Sequence, residues 1–171
     1  PTALLVVPRV LEKVYNAAEA KSGGGIKLKI FRWAMQVAVE NSERKHHGLV
    51  FRAKRKLANK LVWSKLTAIL GKDCTFAVSA GAPLGKRLGH VFRGIGLTVI
   101  EAFGLTETTG PATANRPGNF VMGTVGQPLP GTAMKLSDSG EIYLAGPHIM
   151  AGYHRNPEAT APVLDADGSV P

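Results

Sequence analysis

The chain has 171 residues, 44% of them hydrophobic, and a mean hydropathy of +0.03. That is enough for one domain with a real core, or one domain and part of another, and it excludes collagen-like, low-complexity and wholly disordered chains. The net charge of +9 is uneven: residues 1–74 carry 15 Lys and Arg against 5 Asp and Glu, and residues 75–171 carry 6 against 7. A basic first half admits three readings: nucleic-acid binding, contact with an anionic membrane surface, or a solvated helical face.

The first block reads as helical. Pro8 suits a first helical turn, and Val10, Leu11, Val14 and Tyr15 follow at helix spacing until Ser22-Gly23-Gly24-Gly25 stops them. A second helix is predicted over about Ile26 to Arg44, with Ile30, Phe31, Ala34, Val37 and Ala38 on one face. A third is predicted over about Arg52 to Leu70, with Leu57, Leu61, Val62, Leu66 and Ile69 as its apolar stripe and many Lys and Arg elsewhere.

The second block alternates. Residues 75–79 read as a short buried strand, Gly81-Ala82-Pro83 as the opening of a helix that runs to about Arg93, and residues 97–102 as the next strand. Strand, helix and strand in so few residues make a βαβ unit, and hence a parallel sheet. The third block is rich in turns, with candidate strands at Met122 to Val125, Ala133 to Leu136 and Glu141 to Ala145 and a turn at residues 137–140. The predicted fold is α/β: a partial parallel sheet with flanking helices over residues 1–121, then a small antiparallel β element over 122–171.

Cys74 is the only cysteine, so disulfide stapling is out. A small buried thiol, a reducing compartment and a cytoplasmic location are the expectations. The longest mostly apolar run, Ala3 to Val10, contains Pro8 and Arg9 and is far short of the roughly 20 residues that a membrane span needs. No CxxC or HxxxH spacing occurs, and His46-His47 reads as an exposed pair in a basic stretch rather than a metal site. Trp33 and Trp63 sit among apolar neighbours, which argues for packing rather than base stacking, so no nucleic acid is expected. Lys54, Arg55 and Lys56 could touch anionic headgroups, with a solvated face as the simpler reading.

Ligands of open α/β sheets bind beyond the carboxyl ends of the strands. Two strand ends stand out, expected side by side across a right-handed crossover. Around Ser79, Ala80, Gly81, Ala82 and Pro83, small residues let a flat ring approach the backbone, and the helix start offers N–H groups. In Phe103-Gly104-Leu105-Thr106-Glu107, Phe103 offers a stacking face, Gly104 leaves room beside it, Thr106 offers a hydroxyl for a phosphate oxygen, and Glu107 offers a hard ligand for Mg²⁺. That is the chemistry of a magnesium-nucleotide site. A plain helix start and a capped loop would explain the same residues.

The stretch FGLTETTG, residues 103–110, resembles the aromatic-Gly-x-Thr-Glu signature of the adenylate-forming superfamily, and SAGAPL, residues 79–84, resembles its adenine motif. TVGQPLPG, residues 124–131, and GEIYLAGPHIMAGYHRNPEAT, residues 140–160, resemble two further motifs found downstream in that family. The opening Val7-Pro8-Arg9-Val10-Leu11-Glu12-Lys13-Val14-Tyr15 and the long basic helices are similar to the long-chain fatty acyl-CoA ligase branch. The resemblance implies that Ser79, Ala80, Gly81, Ala82 and Pro83 line the adenine side and that Phe103, where most relatives have Tyr, stacks on adenine. It further implies that Gly104 flanks the acyl carboxylate, with Leu105 beside it in the same cofactor-binding stretch. Thr106 then contacts the α-phosphate and Glu107 helps hold Mg²⁺.

The implied reaction joins a fatty acid to coenzyme A with ATP, through acyl-AMP. Alternatives are loading of a carrier protein and a non-catalytic binding module. The family's phosphate loop, its Thr-Gly-Asp motif and its C-terminal catalytic Lys have no match here, and Ser169 stands where an aromatic commonly follows the Asp-Gly pair. The chain therefore reads as an internal piece, inactive alone, whose exposed sheet edges favour self-association.

Overall fold

The computed structural model describes residues 1–44, 48–116, 118–165 and 167–171. His46 and His47 lie outside the described residues. Contacts divide the chain into two compact units, Pro1–Ile100 and Glu101–Pro171.

The first unit opens with β1 (Ala3–Val6), followed by α1 (Pro8–Lys21), α2 (Gly25–Glu43), α3 (Leu49–Ala58), a π-helical turn (Asn59–Trp63), α4 (Ser64–Leu70), β2 (Phe76–Ser79) and α5 (Lys86–Gly94). β1 and β2 pair in parallel, Ala3 opposite Phe76 through Val6 opposite Ser79. β3 (Thr98–Leu105) begins in this unit, and its first amide donates to the Thr75 carbonyl at 3.0 Å. The sequence expectation of a mixed α/β fold with a parallel sheet and flanking helices holds.

The helices form where the apolar spacing places them. α2 buries Phe31, Ala34, Met35, Val37 and Ala38 along one face, and Tyr15 of α1 meets Phe31 edge to face with ring centroids 5.6 Å apart. Against that face packs α5, which buries Val91 and Phe92. Gly94 is required there, because a Cβ would run into the Ala38 carbonyl. Asn41 Nδ2 donates to the Gly94 carbonyl at 2.7 Å, and Ser42 Oγ lies 3.0 Å from His90 Nδ1. Cys74 is buried, as expected.

The predicted third helix needs correction. It is interrupted at Asn59–Trp63, where the extra residue of a π turn rotates the α4 side chains relative to those of α3. The buried set is Phe51, Ala58, Trp63, Leu66 and Leu70, whereas Leu57, Leu61 and Ile69 of the expected stripe are exposed. Trp63 is a core residue, as expected, and its indole N–H donates to the Ala34 carbonyl at 3.0 Å.

The second unit contains the rest of β3, β4 (Gly110–Ala114), β5 (Gln127–Pro128), β6 (Ala133–Leu136), β7 (Ile142–Ala145) and a short α6 (Pro157–Thr160). β4 pairs antiparallel with β3 across a register shift at Phe103/Gly104, and β5 pairs with β4. β6 and β7 form the expected hairpin, with Ser137 Oγ accepting from the Glu141 amide at 3.0 Å in its turn. Residues 122–125 are not a strand. They form a turn around Asn115, whose carboxamide oxygen accepts from the Val121 amide at 3.1 Å and whose amide group donates to the Thr124 carbonyl. Ser169 and Val170 are buried, and Val170 exchanges two backbone hydrogen bonds with Leu144.

Candidate active site

In the first unit, β2 delivers Ser79 to its carboxyl end. The residue is 1% exposed, and its hydroxyl has no partner among the described residues. Ala80 donates its amide to the Val6 carbonyl at 3.3 Å. Gly81 has φ +87°, where a side chain would be strained, and Gly81, Ala82 and Pro83 are all exposed. One expectation fails here. The helix does not open at Pro83 but at Lys86, after Gly85 with φ +83°. Two left-handed glycines and Leu84, buried in the core, hold an open loop instead, so the free helix N–H groups lie beyond the small-residue stretch.

In the second unit, the stretch 103–107 is partly strand: β3 runs through Phe103, Gly104 and Leu105. Phe103 is half-buried against the small core of Ala112, Leu144 and Val170. Gly104 has a structural role, since a Cβ would run into the Gly110 carbonyl on β4. The chain then reverses tightly. Thr108 Oγ1 accepts from the Leu105 amide at 2.8 Å and lies 2.6 Å from the Gly110 carbonyl, to which it can donate, while Thr109 takes φ +56°. This reversal leaves Thr106 exposed and Glu107 half-buried at its tip.

Residues 148–160 brace that tip. Met150 donates its amide to the Glu107 carbonyl at 2.8 Å, and Thr109 Oγ1 donates to the His148 carbonyl at 2.8 Å. Tyr153 Oη donates to Glu107 Oε1. This hydrogen bond holds the Glu107 carboxyl below its ordinary value and pushes the Tyr153 phenol above its own. Tyr153 is itself anchored: its amide donates to Thr160 Oγ1 at 3.0 Å, and Asn156 Oδ1 caps α6 by accepting from the Ala159 amide at 3.1 Å. The Tyr153 role escaped sequence reasoning, because 46 positions separate it from Glu107. The only signal was its place in the Gly-Tyr…Thr stretch.

Among the described residues there is no group of three or more His, Cys, Asp and Glu able to hold a metal by itself. A lone ionised carboxylate fits Mg²⁺ bound mainly through substrate phosphates and water, since that ion keeps several waters and takes one or two protein carboxylates.

A family model described as AMP-binding enzyme matches residues 1–154. The chain belongs to the AMP-binding enzyme family. It is 47% identical over 163 residues to the long-chain-fatty-acid–CoA ligase FadD15 of Mycobacterium bovis, covering 94% of this chain and 27% of that protein. It is 31% identical over 180 residues to long-chain-fatty-acid–CoA ligase 6 of Homo sapiens, covering 98% and 25%. The chain thus spans about a quarter of the length of these relatives. Among solved structures, it resembles the adenylation domain of a carboxylate reductase from Mycobacterium chelonae, with a TM-score of 0.64 at 21% identity over 99% of this chain and 24% of that one. That similarity supports the fold alone.

Proposed function

We propose that this chain carries part of the nucleotide- and carboxylate-activating site of an ATP-dependent, AMP-forming long-chain fatty acid:CoA ligase. The 47% identity to a ligase of that kind, over 94% of this chain, is the observation that carries the reading. In the reaction, a fatty acid carboxylate oxygen attacks the α-phosphorus of ATP, forming the acyl–AMP anhydride and releasing pyrophosphate. The thiol of coenzyme A then attacks the acyl carbon, its proton is lost, and AMP departs with the C–O electron pair.

In this reading Ser79 to Pro83 take the adenine, and the partnerless Ser79 hydroxyl is a buried group that a ligand would satisfy. Phe103 presents a ring face, Gly104 and Leu105 shape the strand end, and Thr106 gives its hydroxyl to an α-phosphate oxygen. Glu107, kept ionised and aimed by Tyr153, would hold Mg²⁺, which when bound supplies charge neutralisation at the phosphates. The chain's contribution is therefore positioning and electrostatics, not covalent chemistry. The remaining expectations belong to the same reading: a cytoplasmic protein, peripheral contact with membranes, self-association through the outer edge of β1, and no turnover by this stretch alone.

The test is calorimetric binding of ATP–Mg²⁺ and of a non-hydrolysable acyl-adenylate analogue, beside Thr106→Ala and Glu107→Ala. Binding that weakens about tenfold or more in each variant supports the assignment. Binding of equal strength in all three would remove it.

A further inference from the structure

A concentration of positive charge lies in the first unit, away from the motifs at residues 79–84 and 103–110. A cavity of about 620 Å³ opens between α3, the π turn and the end of α5. Arg52, Arg55 and Lys56 enter it from α3 and Arg93 from α5, with the amide side chains of Asn41 and Asn59 beside them, and among the described residues no acidic side chain lines it. Among the described residues Arg52, Arg55 and Lys56 make no ion pair. The ordinary reading is a solvated basic face that offsets the carbonyl end of α5.

Two details go beyond it. Among the described residues Arg55 Nε is buried without a hydrogen-bond partner, and so is Asn41 Oδ1, and both residues line this cavity. Buried polar atoms are nearly always paired, so an unpaired donor and acceptor in one basic cavity mark a place suited to a polar ligand. The α5 carbonyls are also already engaged: Asn41 Nδ2 takes that of Gly94 and the Gly96 amide takes that of Arg93. The cations are therefore not needed to satisfy the helix end.

We propose that this cavity is a binding site for a phosphate group. Arginine forks match the oxygens of phosphate in paired hydrogen bonds, and several cations around one dianion suit phosphate better than a single carboxylate. Arg55 Nε–H gains an acceptor oxygen, and a hydroxyl on the phosphate or its ester donates to Asn41 Oδ1. The π turn has a part in this. By placing an extra residue between Ala58 and Ser64, it turns Trp63 into the core at the cavity wall, with Asn59 also lining the cavity. The phosphate could arrive on a soluble anion or on a lipid headgroup. For the second source, Leu49 and Val50, 83% and 75% exposed just before Arg52, would meet the bilayer. The inference does not rest on the ligase reading, since it uses none of the residues 79–83 or 103–107.

The experiment is NMR titration of the 171-residue chain with inorganic phosphate, read at the Arg55 Nε–H and at the Gly94, Ile95 and Gly96 amides. In parallel, the chain is sedimented with phosphatidylcholine vesicles with and without phosphatidic acid. Saturable shifts at those signals are expected. Arg52→Gln with Arg55→Gln should weaken binding about tenfold or more. Lys54→Gln with Lys60→Gln, which removes the same charge from helical residues outside the cavity, should change it less than twofold. Arg55→Lys keeps the charge and loses the fork, and should also weaken binding, which separates the site from simple attraction. Shifts with inorganic phosphate alone identify a soluble anion, and sedimentation that needs both phosphatidic acid and the two arginines identifies a headgroup. Absence of both, or equal losses in the two double variants, overturns the proposal.

Discussion

The two units are held together by different physics. Residues 1–100 bury a continuous apolar cluster from Leu11 to Val99, with whole helix faces closed against each other. Among the described residues, 101–171 bury a cluster of only Ala112, Leu144 and Val170, with Phe103, Ile142, Ile149, Val163 and Leu164 packed against it. The order of that second unit comes from side chains that clasp the backbone: Thr108 in the reversal after β3, Thr113 and Asn115 around residues 121–125, Ser137 in the hairpin, and Asn156 and Thr160 around Tyr153. The half bearing Thr106 and Glu107 is thus shaped by hydrogen bonds with strict geometry, and the half bearing the basic helices by area removed from water.

The contrast can be broken from its strongest side first. Phe92 is 1% exposed in the middle of the first cluster, and Phe92→Ala should cost about 3–5 kcal/mol in chemical denaturation. Hydrogen exchange should show the loss concentrated in residues 1–100. Gly94→Ala forces a methyl group onto the Ala38 carbonyl and should cost about 3 kcal/mol, with the α2 amides near Ala38 losing protection. In the second unit, truncation of an apolar residue should matter less than loss of a clasp. Asn115→Ala leaves the Val121 amide and the Thr124 carbonyl without their side-chain partner, and should cost about 2 kcal/mol while loosening residues 121–125.

The smallest effect is the most specific. Tyr153→Phe keeps the ring and removes the hydroxyl that bonds Glu107. The Glu107 carboxyl should then return toward its ordinary 4.5, as followed by carbon NMR of the side chain across a pH series. Because folding depresses this carboxyl, its contribution to stability is present above about pH 4.5 and is lost as pH falls through the lower folded value. The phenol is raised, so its contribution is present below about pH 10.0 and is lost as pH rises through the folded value. In Tyr153→Phe both limbs should flatten. An unchanged acid limb would mean that the hydrogen bond does not couple to folding.

Much of the first unit was legible. α1 and α2 fall within a residue or two of their predicted bounds because Pro8, the glycine run at 23–25 and long periodic faces act locally. β6 matches its predicted span, since its turn residues specify the hairpin. The errors share a source in contacts that leave no periodic trace. The π turn and the late start of α5 depend on partners distant in sequence, Ala34 for Trp63 and the core for Leu84, and the turn at 122–125 depends on a side-chain clasp from Asn115, a few positions before Val121. β4 was missed because Gly110–Ala114 carries little strand pattern of its own and is defined by pairing with β3.

The candidate site divides in the same way. Thr106, Glu107 and the small residues 79–83 are proposed from their chemical types in that order, which is local information. Tyr153 could not be found in that way.

By itself the sequence determined the α/β class, the family and the motifs on which the proposed nucleotide contacts rest, because these arise from short-range periodicity and from patterns that act within a few positions. Only the tertiary structure decided which apolar stripe of the third helix is buried, which hydroxyl aims Glu107, and that four cations share one cavity with an Arg55 Nε that has no partner among the described residues. Those outcomes depend on which distant groups come within hydrogen-bonding or packing distance, and a hydrogen bond between residues 46 positions apart leaves no periodic trace in the chain.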